Sequence, residues 1–139
     1  EQDFLDTLSL VRQVRYDAAY TFIYSPRVGT RAASMTDTTP YQEKSRRIQQ
    51  LIDTQQSITG DILSAQVGKM ESVLVEAVSA RDRGFVCGKT DRGHMVNFPG
   101  KESMVGSFRD VLITSAGRNT LRGHLPPEYE GGPNDERSI

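Results

Sequence analysis

The sequence predicts an α+β protein, in which a helix–strand–helix unit is followed by a small five-stranded β-barrel of the OB-like kind. Two patterns in the 139 residues carry this prediction. Over residues 1–68, apolar side chains recur at spacings of three and four, which is typical of amphipathic helices. After Gly68 they alternate with polar residues in short runs divided by turn residues, which is typical of strands. The sequence therefore divides into 1–68, 69–125 and a tail over 126–139.

The first part begins with a predicted helix and a predicted strand. Over 3–15 the apolar residues, Leu8 among them, form one stripe along a helix. The run Tyr-Thr-Phe-Ile-Tyr over 20–24 is aromatic and β-branched, and Pro26 ends it. Such a run predicts a buried strand.

A long second helix is predicted to begin near Pro40 and to end at Gly68. Thr39 is a suitable N-cap, Pro40 suits the first helical position, and Gln42 completes a capping-box pattern. Gly68 is a suitable C-terminal cap, because glycine adopts a left-handed backbone without steric cost.

The second part reads as five short strands in fewer than 60 residues. Its last strand alternates most clearly, with Leu121 and Gly123 on one face and Arg122 and His124 on the other. Closure into a barrel would remove the exposed edges of such short strands. The predicted strands are 70–78, 84–90, 94–98, 105–115 and 119–125.

Composition excludes several classes of function. The formal net charge is −1, so no global basic field indicates a nucleic-acid partner. The single cysteine, Cys87, excludes an internal disulfide and any metal site built from several cysteines of this chain. The longest apolar stretches are far shorter than the roughly 20 residues of a membrane helix. No basic, apolar leader is visible, and a cytoplasmic location is expected.

The small net charge conceals an uneven distribution. Residues 69–125 carry nine basic and six acidic side chains, whereas 126–139 carry one basic and four acidic ones. The tail is also rich in proline and glycine, and it is predicted to be a disordered acidic segment.

Basic side chains of the second part fall on predicted strands and turns, together with an amide and an aromatic residue. Cations that follow a phosphate backbone, beside a surface on which bases stack, are what single-stranded nucleic acid requires. The alternative is a set of ordinary solvated cations, since an excess of three charges is modest. The residues concerned are Lys89, Arg92, His94, Asn97, Phe98, Lys101, Arg122 and His124.

The residues indicate neither a catalytic centre nor a metal site in this chain. His94 and His124 are 30 positions apart and belong to no ligand-spaced cluster. Cys87 has no histidine near it in sequence and is interpreted as a small hydrophobic residue of the barrel. Arg27, in the loop after the predicted strand, is the other candidate. Its guanidinium would suit a cofactor carboxylate or an RNA phosphate, and a structural salt bridge is an equal alternative.

Several short segments, taken in order, carry a resemblance to a known family. The residues over 20–33, Tyr-Thr-Phe-Ile-Tyr-Ser-Pro-Arg-Val-Gly-Thr-Arg-Ala-Ala, resemble its last barrel strand and loop, and 1–4 resemble the segment before it. Gly68-Lys69 resembles the start of its TRAM domain, and 96–100 and 120–123 resemble two TRAM signatures. The family is that of the radical-SAM methylthiotransferases, in particular the tRNA dimethylallyladenosine methylthiotransferase (MiaB) family.

The resemblance covers 1–125 and implies a larger enzyme. Residues 1–68 would be the terminal helix–strand–helix of an α/β radical-SAM barrel, and 69–125 a TRAM RNA-binding domain. Family members use S-adenosylmethionine and two 4Fe-4S clusters, whose cysteine ligands this chain lacks. The implied activity adds a methylthio group to C2 of the prenylated adenosine next to the anticodon.

The resemblance also implies roles for particular residues. Phe22, Tyr24, Ser25 and Arg27 would line the cofactor side of the barrel mouth. The implied partners are the tRNA anticodon stem-loop and the missing N-terminal part of the same, monomeric polypeptide, without a membrane. The residues implied to hold RNA are Lys89, Arg92, Asn97, Phe98, Lys101 and Arg122.

Because the sequence begins at Glu1 and not at methionine, we expect a C-terminal fragment that is inactive alone. In such a fragment Phe4, Leu8 and Phe22 would be poorly protected. Two alternatives stay open: a stand-alone TRAM/OB-like RNA-binding module without catalysis, and a methylthiotransferase that acts on threonylcarbamoyl-adenosine.

Overall fold

The computed structural model describes residues 1–127. The described residues form two compact units, Glu1–Thr59 and a second unit that begins at Gly60. Of the tail predicted to be disordered, Pro126 is buried, and 128–139 lie outside the described residues. Within 1–127 no helix combines the length and the apolar character needed to cross a bilayer.

Helix α1 spans Gln2–Val14, close to its predicted bounds. Leu8 and Val11 are buried on its apolar stripe. The helix ends because Arg15 adopts a left-handed conformation, with φ of 54°, and donates its N–H to the Val11 carbonyl. A single residue of this kind satisfies one orphan carbonyl and turns the chain away.

The buried strand predicted over 20–24 is wrong for this structure, in which these residues have no regular secondary structure. Phe22 is 82% exposed and Tyr20 98% exposed. A strand needs a neighbour for its backbone hydrogen bonds, and the first unit offers no second strand among the described residues. Poor protection is predicted for Phe4, Leu8 and Phe22. Phe22 is exposed as expected, Phe4 is half-buried, and Leu8 contradicts the expectation because it is 1% exposed.

Helix α2 spans Tyr41–Ser64, directly after Pro40. Its predicted end at Gly68 is four residues too late, because 65–68 form turns. Gly68 has the positive φ of a cap, 88°, but its N–H donates to the Ile113 carbonyl at 2.8 Å. Gly68 therefore joins the barrel and does not cap the helix.

Polar side chains attach α2 to the coil that follows α1. Gln55 donates from Nε2 to the Tyr16 carbonyl at 2.6 Å, and Thr59 donates from Oγ1 to the Asp17 carbonyl at 2.8 Å. Both side chains are buried. Buried polar groups that pair with backbone carbonyls fix the path of a segment that has no regular structure of its own.

The second unit is a closed barrel of five strands, which confirms the predicted architecture. The strands run in the order β1-β2-β3-β5-β4, and β4 returns to β1. All neighbours are antiparallel except β3 and β5, which are parallel. The strands are β1 Met70–Val78, β2 Phe85–Thr90, β3 Met95–Pro99, β4 Phe108–Ala116 and β5 Leu121–His124.

The inward side chains of all five strands form one apolar core. Leu63 from the last turn of α2 joins it, and Leu125 follows β5 into it. Alternation places every second residue inside, so the core contains β-branched residues from each pair of neighbours. Its fully enclosed members are Val73, Val75, Val86, Val96, Phe98, Val111, Ile113 and Leu121.

Two inward glycines allow the strands to approach closely. A Cβ on Gly88 would lie 2.0 Å from the Leu74 carbonyl oxygen, and one on Gly123 would lie 2.4 Å from that of Leu112. Both obstacles are backbone atoms, which cannot rotate away. Glycine is therefore a packing requirement on β2 and on β5.

Charged side chains converge near the start of α2. Arg46 donates from Nη2 to Glu1 at 3.0 Å and also binds Glu43, while Arg47 pairs with both carboxylates. The hydrogen bond from Arg46, opposed by desolvation and reinforced by Arg47, lowers the pKa of Glu43 to about 2. These pairs are exposed or only partly buried, so their main effect is on protonation and not on stability.

We expect the carboxyl carbon shift of Glu43 to titrate with a midpoint near pH 2 in an NMR experiment. Because the folded-state pKa is depressed, the ion pairs persist above the ordinary value of 4.5 and are lost as the pH falls through about 2. Arg46→Gln should raise the midpoint toward 4.5. Arg12→Gln, on the exposed face of α1, is the matched control and should leave it unchanged; an equal shift would contradict the assignment.

Candidate nucleic-acid interface

The outer surface of three adjacent strands, β2, β3 and β5, forms one continuous face, which we call the RNA face after the residues predicted from sequence to contact RNA. Register fixes its central row: Cys87 of β2 lies opposite Asn97 of β3, and Asn97 lies opposite Arg122 of β5. Their neighbours in sequence point into the core, so all three side chains point outward. The closure of the barrel thereby brings together residues that are up to 35 positions apart.

Five of the six predicted RNA-contacting residues lie on this face or at its two ends. Lys89, Asn97 and Arg122 lie on the strands themselves. Arg92 lies in the turn before β3 and Lys101 in the connection after it, so these two cations mark opposite ends of the face. Lys89 and Lys101 are exposed, and neither has an ion-pair partner among residues 1–127.

The sixth residue, Phe98, is not on the face, and the prediction that it stacks on bases is wrong. Phe98 is 0% exposed and belongs to the core. The physical reason is the alternation of β3, where Val96 and Phe98 share the inward direction and Asn97 takes the outward one.

The aromatic residue of the face is Phe85, which the sequence analysis did not single out. Its ring lies 5.7 Å from the guanidinium carbon of Arg122, within the range of a cation–π contact. The Nη2 of Arg122 donates at 3.0 Å to Oδ2 of Asp82, in the loop between β1 and β2. Phe85, Asp82 and Arg122 thus form one cluster, which we call the Arg122 cluster.

The loop that carries Asp82 also supplies two cations that were missed. Arg81 and Arg83 flank Asp82 and are both exposed. The Asp82–Arg122 ion pair places this loop beside β5, although the two are 40 positions apart. Sequence offered one signal, the run Arg-Asp-Arg-Gly directly before a predicted strand, but it did not indicate which strand the loop would approach.

Another side of the barrel is acidic. A groove of about 400 Å³ beside β1 is lined by Glu71, Glu76 and Asp91, with Lys89 at its border and Phe108 in its wall. Carboxylates of this density repel a phosphate backbone.

The described residues do not provide a metal centre. No group of three or more His, Cys, Asp or Glu side chains in residues 1–127 is placed to hold an ion. Cys87 lies on barrel strand β2, where it is half-exposed on the outer face, because Val86 and Gly88 take the inward positions. A 4Fe-4S cluster needs several thiolates, and the 139 residues contain one. The residues of this chain therefore do not fit such a cluster.

The first unit contains a cleft of about 300 Å³. Two of the four predicted cofactor residues, Phe22 and Tyr24, line it, whereas Ser25 and Arg27 are exposed outside it. The carbonyl of Arg27 accepts a hydrogen bond from Thr30 at 2.7 Å, but its guanidinium forms no salt bridge within residues 1–127. The other lining residues are Phe4, Ile23, Asp37, Thr39, Lys44, Arg47, Ile48 and Leu51.

Known proteins are similar in sequence to both units of the chain. The model of the TRAM domain matches residues 64–125, which contain the whole barrel. The chain is 42% identical over 125 residues to the tRNA-2-methylthio-N(6)-dimethylallyladenosine synthase of Delftia acidovorans, and 43% identical over 123 residues to that of Nitrosospira multiformis. The synthase of Carboxydothermus hydrogenoformans is 43% identical over 125 residues.

The matches cover 88–90% of this chain but only 26–28% of each of these relatives. The chain thus spans about a quarter of the length of the proteins that it matches. Identity extends over both units, because the aligned 125 residues exceed the 62 that the TRAM model covers. The chain is therefore similar to the C-terminal portion of the tRNA methylthiotransferase (MiaB) family, and its barrel matches the TRAM domain.

Proposed function

We propose that this chain is the C-terminal part of a tRNA methylthiotransferase, and that its barrel binds the anticodon stem-loop through the RNA face. The complete enzyme would add a methylthio group to C2 of the prenylated adenosine next to the anticodon. The names of the relatives support this substrate, and the resemblance of 20–33 to the end of a radical-SAM barrel supports the reaction class.

The proposal of RNA binding rests on the kinds of side chain that the RNA face presents. Neither Lys89 nor Lys101 forms an ion pair with a described residue, so both ammonium groups are available to a phosphate. Phe85 and Asn97 between them offer an aromatic surface and an amide. Unpaired cations bind phosphates, and aromatic and amide groups bind bases, so the face combines both requirements of a single-stranded loop.

In the proposed enzyme the first unit supplies part of the barrel wall and no cluster ligand. S-adenosylmethionine and the 4Fe-4S clusters would supply the radical chemistry, held by residues outside this chain. The contribution of Phe22, Tyr24, Ser25 and Arg27 to the cofactor side stays a prediction. Isolated, the chain would be inactive, and cluster binding by this polypeptide alone would contradict the proposal.

One observation favours a stand-alone RNA-binding module as the second candidate. The barrel closes with its own five strands, so RNA binding needs no catalytic domain. A gene that continues upstream of Glu1 into a Cys-x-x-x-Cys-x-x-Cys motif would decide for the enzyme. A start codon immediately before Glu1 would decide for the module.

Replacement of Lys89 and Lys101 together by alanine should weaken binding of the full chain to a tRNA anticodon stem-loop. Each lysine that contacts a phosphate releases about one counterion, so the slope of log affinity against log salt should fall by about two. Fluorescence anisotropy over a range of salt concentrations measures both quantities. Lys69→Ala, an exposed lysine just before β1 and outside the RNA face, is the control. An unchanged slope in the double variant would remove both lysines from the interface.

A further inference from the structure

We propose that the Arg122 cluster is a stacking platform for one unpaired nucleobase of the RNA, and that Arg122 is not a phosphate ligand. The inference rests on the proposed RNA binding and assigns Asp82, Phe85 and Arg122 separate roles in it. Phe85 supports the guanidinium from below, Asp82 fixes one edge, and the exposed side of Arg122 receives the base.

The topology of the barrel shows how the platform is built. Phe85 is on β2 and Arg122 is on β5, and β3 lies between them. Contact between the two side chains at 5.7 Å therefore requires Arg122 to extend across β3 along the outer surface of the sheet. In this position its side chain is still 54% exposed. A flat guanidinium on an aromatic ring leaves one planar side available for stacking, which Arg provides and Lys does not.

The ion pair between Arg122 and Asp82 favours stacking on a base over phosphate binding by Arg122. Asp82 pairs with Arg122 at 3.0 Å, so the two charges largely offset each other, and a phosphate that approached Arg122 would meet the carboxylate as well. A neutral base meets no such repulsion. Lys89 and Lys101 have no acidic partner among residues 1–127 and are the better phosphate ligands of the same face.

The neighbour of Arg122 in the sheet defines the kind of nucleotide. Asn97 lies opposite Arg122 in the β3–β5 register, points outward, and is half-buried. Its amide carries both donors and an acceptor, which suit the edge of a base that stacks beside it. Bases inside a stem are already stacked and paired, whereas loop bases can turn outward onto a protein surface. The ligand is therefore an unpaired base of a loop and not a duplex.

The test compares two variants in the full chain against an anticodon stem-loop RNA. Arg122→Lys keeps the charge and removes the plane, and we expect about tenfold weaker binding with an unchanged salt slope. Asp82→Asn removes the charge that fixes the guanidinium, and we expect several-fold weaker binding. Tighter binding by Asp82→Asn would indicate that Arg122 is a phosphate ligand, and wild-type affinity for Arg122→Lys would show that binding does not need the guanidinium plane. Either result would overturn the proposal.

A spectroscopic measurement reports stacking directly. With 2-aminopurine placed at each loop position in turn, one position should change its fluorescence on binding, and Arg122→Lys should abolish that change. No change at any position, with binding intact, would exclude a platform. Thermal unfolding of both variants serves as the folding control. Failure of the wild-type chain to bind any stem-loop would overturn the proposed function itself, whereas binding that depends on Lys89 and Lys101 but not on Arg122 would overturn the platform alone.

Discussion

Phe98→Ala is expected to lower the free energy of unfolding of the barrel by about 3–5 kcal/mol, the usual cost of removing an enclosed aromatic side chain. Phe98 is 0% exposed, and the core around it consists of side chains that cannot collapse far into the space left behind. Urea unfolding followed by circular dichroism measures the change, since the chain has no tryptophan.

Phe108→Ala is the matched control for this variant. Phe108 is on β4 of the same barrel but is 69% exposed, so its removal should change the free energy of unfolding by about 0.5 kcal/mol or less. Equal losses from both variants would show that Phe98 is not the enclosed residue. At urea concentrations where Phe98→Ala is folded, RNA affinity should be close to that of the wild type, because the side chain does not reach the RNA face.

Gly88→Ala is the second substitution for which a large effect is expected, about 3 kcal/mol of destabilisation. The new methyl group would lie 2.0 Å from the carbonyl oxygen of Leu74 and 2.9 Å from the Val73 side chain. To relieve this contact β2 must move away from β1, which breaks hydrogen bonds of the pair. The thermal midpoint of the barrel measures the loss.

Gly60→Ala tests whether this loss arises from the close approach of two strands. Gly60 lies within α2, and a Cβ there would meet no atom within 4 Å. Alanine favours the helix over glycine by about 0.5–1 kcal/mol, so this variant should be slightly more stable than the wild type. Comparable destabilisation by both substitutions would contradict a steric origin at Gly88.

The barrel was predictable because alternation is a local property of a strand. The predicted strand over 70–78 has the bounds of β1, and the one over 84–90 differs from β2 by a single residue. The predicted strand over 105–115 begins three residues before β4, which starts at Phe108. In the structure a 3-10 turn over Glu102–Met104 and the positive φ of Gly106, 89°, delay the start of the strand. Helical turns of three residues leave almost no periodic signal.

The site was predictable only in part, because it depends on which strands become neighbours. Asn97 and Arg122 could be selected from sequence because they are polar residues on predicted strands. Phe85 could not, because its contact with Arg122 depends on how the strands are arranged in the barrel. The same dependence explains the error over 20–24, whose composition suits a strand and which finds no partner among the described residues. The composition of a segment shows that it can form a strand, but a strand forms only where a neighbouring strand is present to pair with it.

The parallel pairing of β3 with β5 has a consequence for how the protein is made. β4 precedes β5 in the chain but lies on its far side, so until β5 inserts between them β3 and β4 are both open edges. During synthesis the N-terminal strands leave the ribosome first, and this nascent sheet exposes unpaired backbone to other chains. The RNA face does not exist at that stage, since Arg122 arrives with the last strand. Closure of the barrel and assembly of the proposed binding surface are therefore a single event, completed by β5.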